Sequence, residues 1–147
     1  MRYLTVLIFL GLFSQCKAQN NNHSNLESGL AVQGYDPVAY FSNKGIEGNE
    51  KISTTYNNAT YYFSTRANKL IFESNQLKYE PQYGGWCAYA MGKKGSKVEI
   101  NPKTFKVING KLYLFYNAYF NNTLESWNKN EEILKAKADK NWNELLK

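Results

Sequence analysis

Cys87 is the residue with the most chemistry in reach. The chain has 147 residues, two cysteines and one histidine. Cys16 lies in an apolar N-terminal stretch that reads as a leader, so a processed chain keeps Cys87 alone. One thiol cannot close an intramolecular disulfide. A lone cysteine in an exported protein is therefore a buried apolar residue, an intermolecular partner, or a reactive or metal-binding thiol. Met91 follows it, and a helix over residues 84–91 would put both sulfurs on one face. A thiolate and a thioether form a soft pair suited to a copper-like ion such as Cu(I). The competing reading makes both of them core residues, the usual fate of Cys and Met.

Asp36 offers a carboxylate that would act as a ligand or base near Cys87, or would accept backbone N–H bonds in its own turn. Tyr35, Tyr40, Tyr83, Trp86 and Tyr89 belong to an aromatic stock of 12 Tyr, 8 Phe and 3 Trp, which is 16% of the chain. They would either wall a ligand pocket, with Tyr35, Tyr83 and Trp86 as its candidate contacts, or build a core with hydroxyls at its edge. His23 sits among Asn and Ser and is expected to be solvated, since a metal ligand needs partners held in geometry. No catalytic residue is assigned. Thiol catalysis normally needs a neighbouring base, usually His, and none lies in residues 30–147. The two cysteines also exclude a disulfide scaffold and a four-cysteine zinc ribbon. A formal charge of +6 is too modest to indicate nucleic acid.

The elements that must position these residues follow from local patterns. Gly34-Tyr35-Asp36-Pro37-Val38 reads as a turn, with Asp36 pushed to an extended conformation by Pro37. Ile52, Thr54 and Tyr56 alternate, and Tyr61 and Phe63 follow Asn57-Asn58, which predicts a hairpin. Ser64 or Thr65 caps a helix whose buried face is expected at Ala67, Leu70, Ile71 and Ser74. Gly84 and Gly85 signal close backbone approach or positive φ. Ala88 to Met91 suits a short buried helix, and Lys93, Lys94 and Lys97 mark an exposed loop. Asn109-Gly110 between two apolar runs is the strongest hairpin signal in the chain. Helices are expected over 118–128 and 131–146, the second burying Leu134, Ala138, Trp142 and Leu145. No internal repeat is read. The predicted fold class is α+β.

Residues 1–18 carry Arg2 and then an apolar run from Leu4 to Phe13. That run is shorter than the ~20 residues a spanning helix needs and fits a signal peptide cleaved after Ala18. Lipidation at Cys16 is the alternative, and would be the one route to a membrane. Cleavage removes Arg2 and Lys17 and lowers the formal charge from +6 to +4. Residues 19–29 read as a polar linker, and residues 30–147 as one domain.

Gly34-Tyr35-Asp36-Pro37-Val38-Ala39-Tyr40-Phe41, Tyr61-Tyr62-Phe63-Ser64 and Gln82-Tyr83-Gly84-Gly85-Trp86-Cys87-Ala88-Tyr89-Ala90 together resemble the YHS-domain family. The likeness is to its secreted bacterial branch. It spans about residues 30–147. It implies a small α+β fold with a hairpin-plus-helix core, a second hairpin and C-terminal helices, and relatives that are small metal-binding modules. Metal-binding relatives carry cysteines where this chain has Ala39 and Ser64, so their ligand set does not transfer. The expectation is an exported, periplasmic or extracellular, non-enzymatic binding protein. Its ligand would be a soft metal ion held through Cys87 and Met91. The alternatives are a small molecule or protein bound through the aromatic surface, or thiol redox chemistry at an exposed Cys87.

Overall fold

The computed structural model describes residues 23–147. The expected leader, with Cys16, lies outside the described residues. Strands β1 (Leu26–Glu27) and β2 (Leu30–Ala31) come first, followed by β3 (Asn49–Tyr56) and β4 (Ala59–Phe63). They form one sheet in the order β1-β2-β4-β3. Part of the expected linker is therefore structured. Leu26 and Glu27 pair with Ala31 and Leu30, and Asn25 N–H donates to the Gly84 carbonyl at 2.8 Å. Helices α1 (Arg66–Ser74) and α2 (Gln76–Tyr79) follow, then α3 (Ala88–Lys94). The second hairpin is β5 (Asn101–Ile108) with β6 (Lys111–Phe115), and a small one pairs β7 (Asn117–Ala118) with β8 (Asn121–Asn122). Helices α4 (Thr123–Asn128) and α5 (Glu131–Leu145) close the chain. The α+β architecture is as expected.

The chain does contain an internal repeat, and it is structural. In the first unit Val32, Gln33 and Gly34 have φ of 53°, 51° and 81°, a left-handed turn closed by Tyr35 N–H on the Val32 carbonyl at 3.0 Å. In the second, Tyr83, Gly84 and Gly85 have φ of 56°, 61° and 85°, closed by Trp86 N–H on the Tyr83 carbonyl at 3.1 Å. Each turn is entered through a parallel pairing to the hairpin's return strand, Leu30 with Thr60 and Pro81 with Leu112. Each leads through an aromatic residue to a helix, Ala39–Ser42 or α3, that ends on a left-handed residue, Asn43 or Gly95.

Each unit then runs into a hairpin of the same register. Asn49 faces Phe63 and, after an irregularity, Ser53 faces Tyr62; Asn101 faces Phe115 and Phe105 faces Leu114. Both hairpins turn through two residues at positive φ, Asn57-Asn58 and Asn109-Gly110, the arrangement that suits the right-handed twist of strands. Even a local bond recurs: Lys51 N–H to Asn49 Oδ1 at 2.9 Å, and Lys103 N–H to Asn101 Oδ1 at 3.0 Å.

Two apolar clusters hold the units. One gathers Tyr40, Tyr61, Phe63, Phe72, Cys87, Leu112 and Leu114. The other gathers Tyr83, Ala88, Met91, Tyr113, Phe115 and Trp127 with Leu134 and Ala138 of α5. Gly92 lets α3 lie against α5, since a Cβ there would sit 2.5 Å from the Leu134 carbonyl oxygen. Three expectations are corrected. Ala67, Leu70, Ile71 and Ser74 of α1 all face solvent, and Phe72 is the buried residue. The Thr65 cap and a bond from Asn68 to Asp36 fix the helix by its opposite side. The helix expected from residue 118 begins only at Thr123, because residues 117–122 form the β7–β8 hairpin. At the C-terminus, Leu134 and Ala138 are buried, but Leu145 is exposed and Trp142 half-buried.

Candidate functional site

Asp36 and Cys87 occupy the same place in the two units. The Asp36 N–H donates to the Ile46 carbonyl at 2.8 Å and the Cys87 N–H to the Val98 carbonyl at 3.0 Å. Both side chains are fully buried. Both receive the N–H of the residue that leaves the return strand: Ser64 on Asp36 Oδ2 at 2.8 Å, Tyr116 on Cys87 Sγ at 3.3 Å.

The Asp36 carboxylate has no capacity left for a ligand. Oδ1 accepts from the N–H groups of Val38 and Ala39 at 2.9 and 3.2 Å. Oδ2 also accepts from Ser64 Oγ at 2.6 Å and Asn68 Nδ2 at 2.7 Å. The turn-accepting reading of Asp36 holds, extended to the start of α1. Burying a carboxylate is tolerable when hydrogen bonds replace its water.

Cys87 Sγ lies 3.5 Å from Thr123 Oγ1. The Thr123 hydroxyl proton is already given to the Tyr116 carbonyl at 2.7 Å, so the thiol proton is directed at Thr123. Cys87 thus joins α3, β6 and α4 through one donated and one accepted bond. The exposed thiol that redox chemistry calls for is not found. Met91 packs in the other apolar cluster, beside Trp127, so helical spacing does not bring the two sulfurs into one group. Among the described residues, no three His, Cys, Asp or Glu side chains converge as metal ligands.

The three candidate aromatic contacts are dispersed, and the single pocket expected around them is not formed. Tyr35 borders a cavity of about 440 Å³ with Gln33, Asn101, Tyr116 and Asn117. Trp86 borders neither cavity; its Nε1 donates to the His23 carbonyl at 2.6 Å and Lys97 lies 5.8 Å from its ring. Tyr83 does face a groove, of about 690 Å³.

That groove is built where the second left-handed turn meets the rest of the fold. The turn contributes Tyr83, Gly84 and Gly85, and Gly84 has no room for a side chain, since a Cβ would lie 2.9 Å from both the His23 carbonyl oxygen and Trp142. Facing it are Asn25, Asn57, Tyr61 and Glu80 from the first half, and Asp139, Trp142 and Asn143 from α5. Tyr83 OH donates to Asp139 Oδ1 at 2.8 Å, and Lys135 Nζ pairs with Oδ2 at 2.7 Å. Burial, then the Asp139 bond, raises the Tyr83 hydroxyl well above the ordinary tyrosine range. Burial raises the Glu80 carboxyl, and hydrogen bonds to Asn57 and Tyr61 partly offset the shift. Burial, then the nearby Glu80, raises the Tyr61 hydroxyl as well, so the Tyr61 and Tyr83 phenols stay neutral donors at physiological pH.

Sequence reasoning found Tyr83 here and missed Glu80, Asp139 and Trp142. The available signal was Trp142, an aromatic on the polar α5. No protein-family model matches the chain, and no curated protein or solved structure is found to be similar to it.

Proposed function

We propose that this chain is an exported, non-enzymatic binding module of the YHS type whose ligand is a small polyhydroxylated molecule of the sugar class. The observation that carries the reading is the groove beside Tyr83. Its volume of about 690 Å³ falls within the range of small-molecule sites, roughly 300–1,000 Å³. Its lining combines the partly exposed ring of Trp142, backed by the buried Tyr83, with amides at Asn25, Asn57 and Asn143 and carboxyls at Glu80 and Asp139. Such a mixture offers a ring face for C–H surface and convergent donors and acceptors for hydroxyls. The soft-metal reading has less support, because Cys87 spends its hydrogen-bonding capacity within the fold and Met91 lies in a separate cluster.

The test is a thermal-shift and calorimetric screen of residues 19–147 against neutral and acidic mono- and oligosaccharides. At least one sugar is expected to bind and to raise the melting temperature. Trp142→Ala and Glu80→Gln are expected to weaken it by tenfold or more, an energy of about 1.4 kcal/mol. Binding that survives both substitutions, or a screen without a single binder, overturns the assignment.

A further inference from the structure

Among the described residues, four hairpin turns pass through two residues at positive φ: Ser28-Gly29, Asn57-Asn58, Asn109-Gly110 and Tyr119-Phe120. The second and third use only Asn and Gly, which tolerate the left-handed region, and the first pairs a small Ser with Gly. The fourth places two bulky aromatics there, at φ of 49° and 63°, where such side chains are rare and strained. Packing does not compensate. Tyr119 is 92% exposed and Phe120 111%.

The fold does not need this hairpin. In the first unit the chain passes from Phe63 through Ser64 to Thr65, the cap of α1. In the second it passes from Phe115 through Tyr116 to Asn122, the cap of α4, with residues 117–121 inserted between. Thr123 N–H donates to the Tyr116 carbonyl at 3.0 Å and closes the base of the insertion. An insertion that is strained, unpacked and tipped with aromatics calls for a partner outside the chain.

We infer that the Tyr119-Phe120 tip is a membrane-surface anchor that inserts its two rings into the headgroup layer of an anionic bilayer. Three features favour lipid over a protein partner. The tip is a point: Asn117, Ala118, Asn121 and Asn122 flank it, so it lacks the broad apolar rim that a protein interface buries. The carboxylate nearest in sequence, Glu125, is held at the hairpin's base by Asn122 Nδ2 at 3.1 Å, and the two rings themselves carry no charge to desolvate. Residues 19–147 are basic overall, at +4 without Arg2 and Lys17, and a cationic protein is drawn to an anionic surface. Among the described residues no helix is long and apolar enough to cross a membrane. The charges at the hairpin's base are mixed: Glu125 bonds Asn122, and Lys103 and Glu99 border the cavity that Asn117 and Ala118 also line. Attraction therefore comes from the whole chain, and depth from the rings.

The experiment is co-sedimentation of residues 19–147 with phosphatidylglycerol-containing vesicles and with pure phosphatidylcholine vesicles, comparing wild type with the double variant Tyr119→Asn, Phe120→Gly. That variant carries the turn chemistry of residues 109–110 and is expected to fold. Its melting temperature should rise by several degrees, roughly 3–8 °C. Its partition onto anionic vesicles should fall at least tenfold, while wild type binds them more tightly than zwitterionic ones. Wild type that binds neither vesicle overturns the anchor, as does a variant that binds as well as wild type. Capture of a protein partner by wild type and not the variant, without vesicle binding, would assign the tip to a protein surface instead and also overturn it.

Discussion

At the head of the first unit's helix a buried carboxylate accepts five hydrogen bonds. At the same place in the second unit a buried thiol makes two. The backbone around them is the same: left-handed turn, helix start, and a hairpin whose departing N–H returns to the side chain. The difference follows what else holds each helix. The first is a single turn, Ala39–Ser42, which packs Tyr40 on Phe105 and Phe41 on Tyr79 but has no partner helix like α5, and the carboxylate fixes its start. The second, Ala88–Lys94, is longer and is clamped by α5 across Gly92. A weak acceptor is enough there. Cys87, the residue with the most chemistry in the sequence, thus has a structural counterpart that does the same job more strongly.

Asp36→Ala is the largest way to break this comparison. It strands the N–H groups of Val38, Ala39 and Ser64 and the Asn68 amide in a buried site. Unsatisfied buried donors and a lost charged hydrogen-bond network together cost about 3–5 kcal/mol. Urea denaturation should show a drop of that size. A loss below about 1 kcal/mol would mean that the helix at Ala39–Ser42 is held by packing alone, as in the second unit.

Exchanging the two chemistries sharpens it. Cys87→Ala should cost less, about 1–2 kcal/mol, from a small cavity and one orphaned N–H. Cys87→Asp should cost more, about 3 kcal/mol, because the Thr123 hydroxyl beside it already donates to the Tyr116 carbonyl and no side-chain amide bonds there as Asn68 bonds Asp36, so little replaces the carboxylate's water. A Cys87→Asp protein as stable as wild type would show the two sites to be interchangeable. In the native state Cys87 should react with an alkylating reagent only through unfolding, at a rate that urea accelerates in step with global stability.

Much of each unit could be read in the sequence, and the relation between them could not. Asn57-Asn58 and Asn109-Gly110 announced both hairpins, Thr65 its helix, and Gly84-Gly85 the left-handed turn. The first unit's equivalent turn was only half visible, because Gly34 marks its end while Val32 and Gln33 take positive φ without being glycine. The hubs were hidden by their types, since nothing in an Asp and a Cys suggests equivalence until their partners are seen. The α1 face was misread because Leu70 and Ile71 have helical spacing yet point outward, 67% and 42% exposed; the Asn68 bond to Asp36 decided the rotation. The groove was half legible. Tyr83 stood in a conspicuous motif, whereas Glu80, Asp139 and Trp142 meet it only through tertiary packing.

The smallest test asks whether the two hairpin turns are equivalent. Asn58 has φ of 62° and Gly110 φ of 72°, each at the second turn position. Glycine carries no Cβ penalty there but loses more backbone entropy on folding, and asparagine is the best tolerated of the other residues. Both turns are exposed, and no atom lies within 4 Å of a Cβ built on Gly110, so packing does not enter. Asn58→Gly should therefore stabilise by about 0.5 kcal/mol, and Gly110→Asn should destabilise by about the same amount. Urea midpoints of the two variants should shift by equal amounts in opposite directions, and the double exchange should return to the wild-type value. A Gly110→Asn loss several times the Asn58→Gly gain would show that the second hairpin bears strain the first does not, and the shared register would then not imply shared energetics.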